Sequence, residues 1–221
     1  IYSMSHFVGL VFGSNIEELL EPYDENREVD EYVRYTKDGA VDEVKKRHID
    51  NYEYALKTLE KYKNPTTDWE RSQLEWANKV IDKGIAISYE EAWEEAKKWG
   101  YEMDDEENLL STYNPDSKWD WYSEGGRWGF WLLLKERGED GEPLTAVCAQ
   151  KKDIDWDAMF EKDRVPFCFV TELGDWHESA SMWWWAITTN EKDENDWINE
   201  FKDYLDTVSE DTFVTVIDFH I

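Results

Sequence analysis

Apolar residues run almost unbroken from Ser5 to Gly13 (SHFVGLVFG), which predicts a buried first strand. Gly13-Ser14-Asn15 ends it. Ser14, with Glu17 three residues later, predicts a capping box on a short helix through Leu20, and Pro22-Tyr23-Asp24-Glu25-Asn26 then breaks that helix. From Asp38 to about Tyr62 the period changes to that of a helix. Val41, Val44, Ile49, Tyr52, Ala55, Leu56, Leu59 and Tyr62 recur at helical spacing until Asn64-Pro65 stops the run. A second helix is predicted from about Thr67 to Lys83, carrying Trp69, Leu74, Trp76 and Val80. A third starts at Ser88, capped through Glu91, and ends at Gly100. Trp93 and Trp99 read as core or staple residues of these helices.

Glu102 to Asn108 is acidic and loop-like. After residue 128 the texture turns to strands, at Trp128–Lys135, Thr145–Gln150 and Pro166–Glu172, with Gly138 to Gly141 as a hairpin loop. Gly174-Asp175 marks another turn before a strand from Met182 to Thr188. Asp193 to Leu205 is amphipathic, with Trp197, Ile198, Phe201 and Leu205 on one helical face, and Thr212 to Ile221 closes the chain as an alternating strand. A strand, then helices, then strands with one helix before the last predicts an α+β protein. The preferred layout is one domain over residues 1–221. Its sheet is mostly antiparallel and ferredoxin-like, with a helical insertion at about 38–100, after the first strand.

Composition narrows the partners. Of 221 residues, 41% are hydrophobic, with 14 Trp, 12 Tyr and 9 Phe, so the chain is able to build a core and is not globally disordered. The 52 acidic and 24 basic residues give a net charge of −28, which repels DNA, RNA and anionic membranes at long range. No direct nucleic-acid or membrane partner is therefore expected. Either a locally basic pocket takes a nucleotide-like small molecule, or the acidic surface imitates a nucleic-acid backbone towards a basic partner, or the charge only keeps the chain soluble. Cys148 and Cys168 make neither a disulfide framework nor a metal site, which points to a reducing cytosol. No apolar run reaches the length of a membrane span, and no signal peptide is visible. Met4 begins a plausible native start, leaving Ile1, Tyr2 and Ser3 as upstream or added residues. No cofactor is implied.

The stretch Ser111 to Trp128 concentrates aromatic residues, Lys118, Arg127 and a Gly125-Gly126 pair, a composition that suits neither a core strand nor a helix. Asn114-Pro115-Asp116-Ser117 is a strong turn signal. Gly125-Gly126 permits positive φ, and successive N–H groups there suit an anion-binding nest. Lys118 and Arg127 suit phosphate, and the aromatic faces suit a base. The candidate ligand-binding set is Tyr113, Asn114, Lys118, Trp119, Trp121, Gly125, Gly126 and Arg127. The competing reading is a structural loop whose aromatics plug the core and whose cations pair with neighbouring acids.

Three segments together carry a family resemblance. They are Met4-Ser5-His6-Phe7 followed by Glu21-Pro22-Tyr23-Asp24-Glu25-Asn26, the central YNPDSKWDWYSEGGRW, and the closing Thr215-Val216-Ile217-Asp218-Phe219-His220-Ile221. The set resembles a widespread family of tailed-bacteriophage proteins described as ferredoxin-like. The resemblance touches both termini and the middle of the chain. It implies a viral origin and expression in the host bacterial cytoplasm, and it supplies no activity.

A second candidate site lies at the termini. His6 starts the first strand, and Asp218 and His220 end the last. In a ferredoxin-like sheet those strands are antiparallel neighbours, which places His6 beside His220, while period-two alternation puts Asp218 and His220 on one face. His6, Asp218 and His220 are the candidate catalytic residues, for acid–base work at phosphate or for a divalent metal. A terminal His that is merely hydrogen-bonded is the simpler alternative. Trp176-His177 and the run Met182-Trp183-Trp184-Trp185 could add an aromatic wall or an interface patch. There is no P-loop, dinucleotide fingerprint, zinc-finger spacing or nucleophile elbow. Three functions follow. The first is a phage accessory protein of host takeover or counter-defence that binds a nucleotide-like molecule. The second is an acidic protein–protein inhibitor or nucleic-acid mimic. The third is a phosphoesterase acting on a nucleotide signal. Whether the chain is an enzyme is left open between them.

Overall fold

The computed structural model describes residues 6–183 and 187–221, the side chains of 181–189 excepted. The chain forms two compact units. One comprises the chain up to Glu28 and from Tyr113 onward, and the other is Val29–Thr112.

The first unit is built on a six-stranded sheet. Its centre is the first strand, His6–Phe12, paired antiparallel along its whole length with the last strand, Phe213–His220. On its other side the first strand runs parallel to Cys168–Val170, which pairs antiparallel with the edge strand Trp176–Glu178. Beyond the last strand lie Trp121–Glu124 and, separately, Cys148–Gln150, both antiparallel to it. The sheet is therefore mixed, although most of its pairs are antiparallel. The unit is α+β, as the alternation of periods predicts.

Both faces of this sheet are covered, which is why HFVGLVF is apolar at nearly every position. One face carries Leu10, Phe12, Phe169, Val214 and Val216. They pack under Trp197, Phe201 and Leu205 of the helix Glu194–Thr207 and against Met159 of a short helix, Trp156–Glu161. The other face carries Phe7, Val11, Cys168, Val170, Ile217 and Phe219, covered by Leu20, Trp119, Tyr23 and Trp176. Burying each of these large side chains contributes about 1.5–3 kcal/mol before entropy is counted. Gly9 has no side chain because a Cβ there would run into Phe219 and the Cys168 sulfur.

The second unit holds the three helices read from the sequence: Lys37–Lys61, Asp68–Lys83 and Tyr89–Ala96. Thr67 and Ser88 each accept from the N3 backbone N–H, while Glu70 and Glu91 reach back to the cap, completing two capping boxes. Val41, Val44, Trp93 and Leu109 form this unit's core.

Several local expectations are corrected. The short first helix is Ile16–Leu20, its N-cap is Asn15 rather than Ser14, and no side chain caps it. Glu28–Tyr35 is a strand, paired in a three-stranded sheet with Leu109–Tyr113, and Glu102–Met103, inside the acidic run expected to be a loop, is the third strand. Glu28–Tyr35 escapes a periodicity test because its burial does not alternate cleanly. Trp69, counted among the apolar helix positions, is 60% exposed. Trp128 belongs to a 3-10 turn, Gly126–Trp128, and the following strand is Leu132–Arg137. In place of one strand from Met182 to Thr188, Ser181–Trp183 and Ile187–Thr189 pair antiparallel, and Trp184 and Trp185 lie outside the described residues.

Candidate functional site

The histidines come together through strand register. Antiparallel pairing sets His6 opposite His220 and Val8 opposite Asp218. On the far side of the last strand, Trp121 stands opposite His220 and Ser123 opposite Asp218. Leu10 and Val216 face the long-helix core, so period-two alternation carries His6, Asp218, His220, Trp121 and Ser123 onto that same face. An apolar core thus ends in a polar cluster.

Each histidine is held by its own carboxylate. His6 Nδ1 lies 2.7 Å from Asp218 Oδ1, and His220 Nδ1 lies 2.6 Å from Asp120 Oδ1. An ionised carboxylate only accepts, so Nδ1 carries the hydrogen in both rings, and a neutral ring then keeps its lone pair on Nε2. The two rings meet edge to face with centroids 5.1 Å apart. Their exposure differs: the His6 side chain is 4% exposed and the His220 side chain 17%. His6 Nε2 is buried with no hydrogen-bond partner, a condition that normally marks a strained or functional group. Trp121, 42% exposed, stacks on His220 at 5.2 Å and 16° and stands edge-on to His6.

The Gly-Gly pair has a specific task here. Gly125 and Gly126 adopt φ of 71° and 44°, and a side chain on Gly126 would collide with the Asp218 carboxylate and Ser123 Oγ. That close approach lets the Arg127 backbone N–H donate to Asp218 Oδ2 at 2.9 Å. The Gly125 N–H donates to Val216 at 2.8 Å. These two N–H groups hold the protein's own atoms and are not open to an outside anion. The Arg127 guanidinium, by contrast, is exposed and makes no ion pair among the described residues.

The remaining residues of the central stretch make contacts within the protein. Asn114 is buried and donates to the carbonyls of Pro22 and Asp24, at 2.8 and 2.9 Å, while its Oδ1 accepts from the Asp116 N–H. Lys118 pairs with Glu178 at 2.9 Å. Trp119 is buried in the second core face, edge-on to Tyr122. Tyr113 is 39% exposed, and its hydroxyl accepts from Ser117. Within this stretch Trp121, Gly126 and the Arg127 backbone N–H reach the histidine end. Trp121–Glu124 is itself a strand, which the aromatic composition concealed.

Asp120 was not among the residues singled out from sequence. Its only signal is its place beside Trp121, since its partner His220 is 100 residues away. The other two histidines lie elsewhere. His177 pairs with Glu200 at 2.8 Å and stacks on Phe169, and His48 lies 3.2 Å from Glu95. Cys168 is buried on the opposite sheet face, where burial and then the nearby Glu178 push its thiol well above the ordinary value, so it offers no thiolate. Among the described residues, no group of three or more His, Cys, Asp or Glu is arranged to hold a metal ion. No helix among them is long and apolar enough to cross a membrane. Comparison with protein-family models, curated proteins and solved structures returned no significant match to the chain.

Proposed function

We propose that the histidine end of the central sheet binds a nucleotide-like, phosphate-bearing molecule and hydrolyses it at phosphate. The observation that carries this is the pair of histidines 5.1 Å apart, each oriented by a separate carboxylate. Two adjacent His–Asp dyads, the more open one at His220, supply oriented imidazoles for acid–base or nucleophilic work at phosphate. Trp121 offers a planar face to a base, and Arg127 an uncommitted cation in a chain of net charge −28. The setting belongs to the same proposal: a phage accessory protein working in the host cytoplasm on a signalling or defence nucleotide, with the mixed sheet taken as a ferredoxin-related one. The test is release of inorganic phosphate from a nucleotide panel by the purified chain, with binding followed by calorimetry. His220→Ala is expected to lower turnover by about 10²–10⁴-fold while nucleotide still binds. Absence of both binding and turnover across the panel would sink the proposal.

The charge favours a second reading, docking to a basic host protein. Two adjoining surface depressions are lined by Glu17, Glu18, Glu21, Glu124, Glu172 and Asp211, with no Lys or Arg among their lining residues. Binding of a lysine-rich peptide that weakens steeply with salt would support it, and indifference to such a peptide at low salt would end it.

A further inference from the structure

We infer that His220 is a covalent nucleophile, which takes a phosphoryl group onto Nε2 from a phosphoanhydride such as the terminal bond of a nucleoside triphosphate; this rests on the phosphate site proposed above. The spacing of the two rings makes the choice. For one histidine to deprotonate the attacking group and the other to protonate the leaving group, the rings must flank the phosphorus. A phosphoryl group with a hydrogen bond of about 2.7–3 Å on each side needs far more room than the 5.1 Å between these centroids. The two rings therefore do not flank a phosphoryl group, and only the more open one can meet it. A second acid–base partner across the phosphorus is then missing, and direct attack by one imidazole is the route that remains.

Exposure decides which ring attacks. His220 is the more open of the two, its Nδ1–H is fixed by Asp120, and its Nε2 makes no hydrogen bond among the described residues. His6 lies behind it, 4% exposed, with Nε2 buried and unpartnered. The exposed Arg127 guanidinium supplies the cation for the non-bridging phosphoryl oxygens. The leaving group departs on the side opposite the attack, away from both rings, and so leaves without an acid. An alkyl phosphate is a poor substrate under that condition, and a phosphoanhydride, whose leaving group is stable unprotonated, is a good one.

The steps balance. The Nε2 lone pair forms the N–P bond as the bridging P–O bond breaks, and the shortened nucleotide leaves with that electron pair. Water then attacks phosphorus, the N–P electrons return to Nε2, and the water proton passes to solvent. The sum is a nucleotide phosphoanhydride plus water giving the shortened nucleotide, inorganic phosphate and a proton.

The chain supplies its own control. His177 also has a carboxylate on Nδ1, and its side chain is 37% exposed against 17% for His220. Glu200, however, is shared between His177 and Lys192, and no second imidazole stands beside that ring. Simple accessibility thus favours labelling of His177, whereas activation favours His220. The experiment treats the full chain with phosphoramidate, quenches in alkali, where phosphohistidine survives, and locates the added phosphate by mass spectrometry. Label on His220 ahead of His177, slowed at least tenfold in Asp120→Asn and absent in a folded His220→Gln, is the expected result. Label on His177 ahead of His220, or none on His220, overturns the covalent route. A parallel assay with adenosine triphosphate and p-nitrophenyl phosphate separates the two proposals. Phosphate release from either without a labelled His220 ends the nucleophile and leaves the site standing. No release and no label ends both.

Discussion

At the scale of single residues, the site depends on one close backbone approach. Gly126 sits at φ 44° with its Cα against the Asp218 carboxylate. Gly126→Ala adds about 1–2 kcal/mol of left-handed strain and a collision, so unfolding by urea is expected to shift by at least that amount. A midpoint equal to that of the parent chain would refute the close approach. Arg127 makes the opposite prediction. Its guanidinium has no protein partner among the described residues, so Arg127→Ala should leave stability within about 0.5 kcal/mol. Nucleotide affinity should fall roughly tenfold or more, because a charge-assisted hydrogen bond contributes about 1.5–3 kcal/mol. Calorimetry beside a denaturation curve reads both effects, and loss of stability with unchanged affinity would assign Arg127 to the fold. His6, Asp218 and His220 could be named from sequence because chemistry-bearing residues at the ends of two apolar strands stand out against them. Asp120 could not, since one acid among 52 carries no signal until His220 is brought to it.

At the scale of elements, helix ends were more legible than strand pairing. The cap at Ser88 with Glu91 follows a local rule and the structure completes it, and it shows a second such box at Thr67–Glu70, where only the helix start is expected from the sequence. Thr67→Ala is expected to cost about 1 kcal/mol, seen as an earlier loss of helical circular dichroism in urea. The Glu70 carboxylate is held below its ordinary value of 4.5, chiefly by the backbone N–H groups of Thr66 and Thr67. The folded form then binds fewer protons than the unfolded form. Its contribution is present above the ordinary value and disappears as pH falls through the lowered one. The acid limb of a stability–pH curve should accordingly be shallower in Glu70→Gln, and identical limbs would show that the contact is not formed in solution. Strands were harder to see. Trp121–Glu124 has no alternation and lies in an aromatic stretch, yet it pairs with the last strand over four residues. Its partner is distant in the chain, and no short window contains both halves of such a pairing. The Ser14 cap failed for a related reason: Gly13 bonds to Phe213 across the sheet end, and the helix starts one residue later, from Asn15.

At the scale of the whole molecule, charge sets the behaviour. A net charge of −28 on 221 residues repels itself in the folded state more than in the expanded one. Raising salt from about 10 mM to 150 mM shortens the screening length from about 30 Å to 8 Å. The melting temperature should therefore rise over that range, and a fall would mean that ion pairs such as Lys118–Glu178 outweigh the repulsion. What the sequence alone determined is what local rules and sums determine: the three long helices and the Ser88 cap, the burial of the first and last strands, the α+β class and the acidity. These depend on periodicity, capping chemistry and composition, all contained in short windows or in totals. Only the tertiary structure decided that residues 212 positions apart form a 2.7 Å His–Asp contact, that Asp120 and Trp121 complete the cluster, and that Asn114, Lys118 and Trp119 make contacts within the protein. Register between distant strands is fixed by the packing of both sheet faces at once, and that energy belongs to no single segment of the chain.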